Sequence, residues 1–294
     1  MQYRVIRRCL TGLTLTELAV VIAVMALLAG LALPAARMVM ASFESGDGAR
    51  SMISAALASA RALAAAKDSY VGIRFQKAYN PDALDPLNPL TAPQYMIFIV
   101  HDPAMMASGF RVVKGTKPIK LPDSIGVMDL TVFTRTYATG SYVPDIVEKP
   151  INDNSLIDQT SEINDATTFS IIFSPSGKLV IHKVQTRNRN GFPDTKTNTD
   201  VSNDDMFNKK VRVDSGLAMF YQDDYCGAWW SSYPDYGLGP EYSRNRFVIY
   251  DREKFKRAFG AGGVASKAWS DYLAALTTET IYLNPYTGTI ISKD

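Results

Sequence analysis

Near its start the sequence reads RRCLTGLTLTELAVVIAVMALLAGLALPAAR (residues 7–37), a stretch that contains a long apolar run with one acid at its start. Between Leu18 and Leu33 there is no charged side chain. Extended back to Leu13, the run is about 20 residues long, which as a helix matches the ~30 Å hydrocarbon core of a bilayer. Glu17 has no base beside it. Because a carboxylate inside a membrane costs several kcal/mol, we expect Glu17 to have a function and a partner.

Basic residues precede the apolar run. The first twelve residues contain Arg4, Arg7 and Arg8 and no acid. The positive-inside rule therefore places the N-terminus in the cytoplasm and the rest of the chain outside it. The whole chain has a formal net charge of +2, and without these arginines the remainder is close to neutral. A near-neutral body argues against a general nucleic-acid binder, which needs a basic face.

Two ordinary interpretations of this N-terminal segment stay open. The first is a secretory signal peptide with a basic RVIRR region, an apolar core and a small-residue LALPAA region, which would make the mature protein begin near Ala36. The second is a simple anchor helix. Neither interpretation gives a role to Gly12 or Glu17.

The motif GLTLTEL (residues 12–18), followed by a charge-free run with Pro34, resembles the N-terminal signal of type IV pilins and type II secretion pseudopilins. The resemblance implies that a prepilin peptidase cleaves between Gly12 and Leu13 and that Leu13 is then N-methylated. It also implies that Glu17 of one subunit pairs with the new α-amino group of another, and that Pro34 belongs to the assembly segment. Such a head-to-tail contact does not close, so it builds a filament. Leu13 departs from the family's usual phenylalanine.

This interpretation divides the chain into four parts. They are a basic leader (1–12), a transmembrane and filament-core helix (13–36), the amphipathic half of the same helix (37–67) and an extracytoplasmic β-rich domain (68–294). The last part carries an elaboration at about 185–276. Apolar residues at spacings of three and four predict one buried stripe on the amphipathic half: Ala49, Met52, Ile53, Ala56, Leu57, Ala60, Leu63 and Ala64.

The body reads as a series of strands and hairpins. SYVGIRF (69–75) and QYMIFIVHD (94–102) have strand length and composition. TTFSIIFSPSGKLVIHKV (167–184) predicts a hairpin, TIYLNPYTGTII (280–291) predicts another, and DREKFKRAF (251–259) predicts a short helix. These segments place the body in the α+β class.

One hairpin also resembles the body of GspH/FimT-type pseudopilins. Ile172, Phe173, Pro175 and Gly177 supply that family's IxF.P.G pattern. The resemblance implies a pilin-like α+β fold, in which a long N-terminal transmembrane-plus-amphipathic helix packs on an antiparallel sheet. The C-terminal region is then an irregular insertion.

Residues that could carry catalysis are scarce. The chain has two histidines, His101 and His182, both in strand patterns. There is no G-x-S-x-G motif for a nucleophilic serine. We therefore predict no catalytic residue and a protein that is not an enzyme.

One cluster of acids in a loop and one aromatic segment could each bind a ligand or a partner. The carboxylates of Asp194, Asp200 and Asp204 are the oxygen ligands that Ca²⁺ takes, although their spacing matches no EF-hand, so a solvated loop is the alternative. No other cofactor is expected. The aromatic segment from Phe220 to Tyr236 predicts either local packing or a partner surface.

A basic cluster at Lys183, Arg187 and Arg189 defines a rival function. Some minor pilins resembling this family bind DNA through a basic loop, so the cluster would make the chain a DNA-binding minor pilin of a competence pilus. Nearby acids dilute the charge, and nucleic acid is not the expected partner. A solvated face is the simpler interpretation.

The sequence therefore predicts a pilin-like structural subunit, a minor pseudopilin of a type II secretion pseudopilus or a type IV pilus. Its expected partners are a prepilin peptidase, other pilin or pseudopilin subunits and an inner-membrane assembly platform. The expected location is the inner membrane, crossed once, with the C-terminal domain in the periplasm.

Overall fold

A computed structural model provides the structure of the 294-residue chain. It describes residues 15, 16, 18–25, 46–78, 88–104, 109–136, 145–151, 160–188, 206–208, 212, 213, 215–223, 239–260, 272, 275, 276 and 280–291. The chain divides into two compact units, Met1–Phe43 and Glu44–Asp294.

The described residues of the first unit are helical and largely apolar. Residues 15, 16 and 18–25 are helical, and their large apolar side chains are exposed. Among the described residues, no helix is both long and apolar enough to cross a membrane. The predicted transmembrane helix over 13–36, and the single-pass inner-membrane location that depended on it, are therefore corrected.

The second unit begins with helix α1 (Gly46–Lys67). Six of its apolar residues are buried, which confirms the predicted stripe: Ala49, Ile53, Ala56, Leu57, Ala60 and Ala64. The helix ends as predicted at Lys67, where a cation in the last turn interacts favourably with the helix dipole. Asp68 then adopts a left-handed conformation with φ of 47°, a common way to end a helix.

Three further helices and sixteen strands are described in this unit. The helices are α2 (Asn88–Thr91), α3 (Thr160–Thr167) and α4 (Arg252–Gly260). The strands are β1 (Val71–Lys77), β2 (Gln94–His101), β3 (Gly109–Val112), β4 (Ile119–Lys120), β5 (Ile125–Met128), β6 (Thr131–Thr136), β7 (Asp145–Pro150), β8 (Phe169–Phe173), β9 (Leu179–Val180), β10 (Lys183–Thr186), β11 (Phe207–Asn208), β12 (Phe220–Tyr221), β13 (Glu241–Tyr242), β14 (Arg246–Asp251), β15 (Ile281–Leu283) and β16 (Ile290–Ile291).

The main sheet is mixed and curled. Its order is β13-β10-β3-β2-β1-β8-β9, with β4 also paired to β2. β10 runs parallel to β3, whereas the other pairs in this sheet are antiparallel. β9 and β10 are separated only by Ile181 and His182 yet stand near opposite ends of the order. Because two linking residues leave no more than about 10 Å between the Cα atoms of Val180 and Lys183, the sheet must curl until its ends approach.

Hydrogen bonds of Ser243 join these two ends. Its hydroxyl donates to the carbonyl of Val180 (2.9 Å) and accepts from the amide of His182 (2.9 Å). The amide of Ser243 in turn donates to the carbonyl of His182 (2.9 Å). The residue that follows β13 therefore closes the curl against the chain that links β9 to β10.

The predicted fold class is wrong in three respects. Within the described residues there is no long apolar helix, the structure is mostly β, and the sheet is mixed rather than antiparallel. The C-terminal region also forms a second sheet, β16-β15-β14-β5, instead of an irregular insertion. Alternating apolar residues identify a strand, but they do not specify its partner or its direction, so the parallel β10–β3 pair left no pattern in the sequence.

The two faces of the main sheet carry different residues. On β1, Val71, Ile73 and Phe75 belong to the core that includes α1 and parts of the second sheet. The alternate residues of the same strand, Arg74 and Gln76, are also buried, on the opposite face. Apolar residues on that face pack with Phe207 and Phe220 of the β11–β12 pair. Both faces are therefore covered, and one of them contains charge.

Candidate functional site

The predicted assembly residues lie outside the described part of the chain. These are Gly12, Leu13, Glu17 and Pro34. Directly after Glu17, the described helical residues expose large apolar side chains: Leu18, Val20, Val21, Ile22, Val24 and Met25. Leu18 is 52% exposed and Met25 is 65% exposed.

The residues proposed for ligands are only partly visible. Arg189 and the three candidate calcium ligands Asp194, Asp200 and Asp204 lie outside the described residues. Of the basic cluster, Lys183 is exposed, whereas Arg187 is fully buried and does not present its guanidinium at the surface. In the aromatic segment, Phe220 and Tyr221 are buried in β12, which fits local packing for that pair.

A buried ionic network centres on Arg74, whose side chain is 0% exposed. Its Nη2 donates to Oδ1 of Asp223 at 2.8 Å and its Nη1 donates to Oε1 of Glu241 at 2.9 Å. Its Nε donates to Oε1 of Gln76 at 2.7 Å. The arginine therefore joins β1 to two segments that follow it by about 150 residues or more.

Asp223 is held by backbone and side-chain donors as well. Its Oδ2 accepts from the amide and the hydroxyl of Thr186, each at 2.8 Å. Its carbonyl accepts from the side-chain amide of Gln185 at 3.1 Å. Charge-assisted hydrogen bonds of this kind offset part of the desolvation cost of a buried carboxylate.

Glu241 is less well satisfied than Asp223. Its Oε1 accepts from Arg74 and from the hydroxyl of Ser170 (3.3 Å). Its Oε2 is buried and has no hydrogen-bond partner among the described residues. Burial raises the pKa of Glu241 to about 8, and the cation of Arg74 offsets only part of that rise. The proton of Glu241 is therefore lost at a higher pH in the folded chain than in the unfolded chain.

A second ionic group lies close to the first. Nε of Arg244 donates to Oδ2 of Asp129 at 2.6 Å, and its Nη1 donates to both carboxylate oxygens of Glu148 at 3.0 and 2.8 Å. Burial raises the pKa of Asp129 to about 6, against the opposing effect of Arg244. Arg244 also contributes to the charge environment of Glu241, so the two groups are electrostatically linked.

The geometry of this network fits a structural role. Its central side chains, those of Arg74, Asp223 and Glu241, are at most 1% exposed, so no dissolved substrate reaches them in this conformation. Together with Asp129 and Arg244, they join strands that are far apart in sequence. The part of the chain that the structure describes contains no group of three or more His, Cys, Asp or Glu side chains that could hold a metal ion.

Sequence reasoning missed this network. One local signal was available, because Arg74 stands between Ile73 and Phe75 in a strand that is otherwise apolar. A cation in such a strand indicates either an exposed face or a buried partner. Nothing local indicated that Glu241 and Asp223 would be the partners, since both come from the aromatic, turn-rich region interpreted as an elaboration.

A groove of about 580 Å³ runs along the outer side of α1. Small residues of the helix, including Ala58 and Ala62, face the turns around Gly177 and Gly288. Arg61 bridges the walls, since its Nε donates to the carbonyl of Gly177 (2.8 Å) and its Nη1 donates to that of Thr287 (2.9 Å). Arg61 thus fastens α1 to one turn from each of the two sheets.

Comparison of the chain with protein-family models, with curated proteins and with solved structures finds no match.

Proposed function

We propose that the chain is a non-enzymatic, pilin-like structural subunit, a minor pseudopilin that a prepilin peptidase cleaves between Gly12 and Leu13. The observation that carries this proposal is the exposed apolar helix over 18–25, which directly follows the cleavage motif. A leader that is cut before an apolar run, and not after it, keeps that run in the mature protein. An assembly role gives the retained run a purpose.

The exposed apolar surface needs a cover. Apolar area removed from water stabilises by about 25 cal/mol per Å², and large exposed apolar patches mark interaction sites. In a filament, the same segment of neighbouring subunits supplies the cover, and Glu17 of one subunit pairs with the α-amino group of Leu13 of another. Each contact is head to tail, so one kind of contact repeats along the filament.

The second unit fits a role as the outward-facing body. Its described charged network is internal and inaccessible, which suits a rigid body better than a catalytic one. DNA capture is less well supported, because Arg187 is buried. The proposed partners are a prepilin peptidase, further pilin-like subunits and the assembly platform of a secretion or pilus system.

An assembly experiment tests this proposal. The full chain is expressed in cells with a working prepilin peptidase and pilus machinery, and sheared filaments are probed for the subunit. Glu17→Ala is expected to reduce incorporation at least about tenfold, because the new amine is then buried without its partner, which costs about 3–5 kcal/mol. Arg246→Ala, at an exposed arginine of β14, serves as the control and should assemble normally. Equal incorporation of the Glu17→Ala and wild-type chains would contradict the proposal.

A further inference from the structure

The two histidines of the chain, His101 and His182, meet at one end of the main sheet although they are 81 positions apart in sequence. His101 ends β2, and His182 lies in the link between β9 and β10. The curl of the sheet brings the link back towards β2 and β3, and the two imidazole centres are 5.4 Å apart. Both side chains are half-buried, so dissolved ions can reach them.

Aromatic neighbours hold the two rings in place. The Tyr70 ring centre lies 4.7 Å from that of His182 and 5.9 Å from that of His101. The ring of Phe110 lies 5.3 Å from His101 and 5.4 Å from His182. The register of β2 and β3 sets part of this arrangement, because His101 pairs directly with Phe110. The imidazoles are therefore restrained from two sides.

A backbone contact selects the tautomer of His182. Its Nδ1 lies 2.6 Å from the carbonyl oxygen of Lys183, and a carbonyl only accepts, so Nδ1 carries the proton and donates. In the neutral ring the lone pair is then on Nε2. Metal-binding histidines commonly use this arrangement, in which one ring nitrogen donates to a carbonyl and the other is left to bind the ion.

We propose that His101 and His182 together bind one divalent transition-metal ion of the kind that prefers imidazole, Cu²⁺ above all. Imidazole nitrogens bind such ions at about 2.0–2.1 Å, which places the centres of two rings on one ion about 5 Å apart, close to the separation seen here. Cu²⁺ is the tightest binder of the common divalent series, whereas Ca²⁺ and Mg²⁺ prefer oxygen. Water completes the coordination, since no third His, Cys, Asp or Glu joins the pair among the described residues.

Phenylalanine variants test the proposal, because they keep an aromatic ring against Tyr70 and remove the nitrogen ligands. The untagged full chain is titrated with CuSO₄ by calorimetry, and the copper complex is examined by electron paramagnetic resonance. Binding at a site that involves two nitrogen donors is expected. His182→Phe and His101→Phe should each weaken that site at least about tenfold, the scale on which even outer partners of metal ligands act.

The control is Lys183→Ala, an exposed neighbour whose backbone carbonyl is retained. It should bind Cu²⁺ like the wild type, and excess CaCl₂ should not displace the copper. The melting temperature of each metal-free variant shows whether its fold is intact, and His101→Asn or His182→Asn replaces any variant that unfolds. Copper binding that is absent, or that is the same in the His101→Phe/His182→Phe double variant as in the wild type, would overturn the proposal.

Discussion

Arg74 shows how a single residue can join distant parts of this chain. It lies in β1, it is fully buried, and it pairs with Asp223 and Glu241. A buried ion pair is weak evidence for stability in itself, but removal of one partner leaves the other charges buried without compensation. Arg74 therefore matters for stability mainly because its removal would leave its carboxylate partners buried without a cation.

Replacement of this cation gives the first prediction. Arg74→Met keeps most of the side-chain volume and removes the charge, so Asp223 loses its ionic partner. We expect a loss of about 3–5 kcal/mol in the free energy of unfolding, measured by urea denaturation. Arg246→Met, at an exposed arginine of β14, should change it by no more than about 0.5 kcal/mol. A similar small effect at both positions would show that the network is not coupled to folding.

Glu241 gives a prediction about pH. Its folded pKa of about 8 is raised from 4.5, so the folded chain holds this proton over a pH range in which the unfolded chain has released it. The stabilisation is complete below about pH 4.5 and is lost as pH rises towards 8. Between pH 6 and 8 the wild type should lose up to about 1.4 kcal/mol per pH unit relative to Glu241→Gln, which cannot titrate.

The measurement is a pair of urea-denaturation series for the two proteins between pH 5 and 8. Asp129, whose pKa of about 6 is also raised, adds a loss of the same sign at lower pH, and it is common to both proteins. The difference between the two series therefore reports the titration of Glu241 together with its electrostatic coupling to Asp129. Parallel curves would mean that Glu241 is ionised in the folded chain at neutral pH.

Helix α1 shows what could be predicted at the scale of an element. Its apolar spacing reports directly on one buried face, because a helix repeats every 3.6 residues regardless of what it packs against. The end at Lys67 and the buried stripe were therefore predictable. The first strands and the hairpins near 169–180 and 281–291 were predictable for the same reason, since their patterns are local.

Two elements resisted prediction because their positions depend on distant partners. β10 pairs with β3 in parallel, and β14 pairs with β5 across more than 100 residues. Residues 145–150 and 160–167 are largely polar, yet they form β7 and α3. Strand polarity reflects the exposure of a face, and the exposed residues of β7 lack the apolar alternation that marks a half-buried strand.

One substitution on each side of α1 tests how this helix packs. Ile53 is fully buried against the sheet, so Ile53→Ala should lower the free energy of unfolding by about 2–5 kcal/mol through lost burial and a new cavity. Ala62 lies on the exposed side, and Ala62→Ser should cost no more than about 0.5 kcal/mol. Thermal or urea unfolding of both variants provides the measurement. Comparable losses would show that α1 does not pack as described.

At the scale of the whole molecule, the described apolar residues of the two units differ in their exposure. In Glu44–Asp294, apolar side chains fill cores on both faces of the main sheet. In Met1–Phe43, the described helical residues expose them. The apolar run from Leu18 to Leu33 already distinguishes the first unit in the sequence. The membrane-spanning helix inferred from that run is not found among the described residues.

The candidate functional features also differ between the two units in whether the sequence reveals them. The cleavage motif at Gly12 is a local pattern that sequence can reveal. The ionic network and the histidine pair are produced by the curl of the sheet, so they became visible only once β9, β10 and β13 were placed. Sequence could identify Arg74 as an unusual residue, and it could not identify what Arg74 binds.

The central claim is that the chain is cut after Gly12 and keeps the apolar run. Tandem mass spectrometry of the mature N-terminal peptide, from cells with an active prepilin peptidase, tests it most directly. We expect a peptide that begins at Leu13 and carries one methyl group on its α-amino nitrogen. A chain that retains Met1, or one that begins at Ala36 or Arg37, would show that cleavage does not follow Gly12.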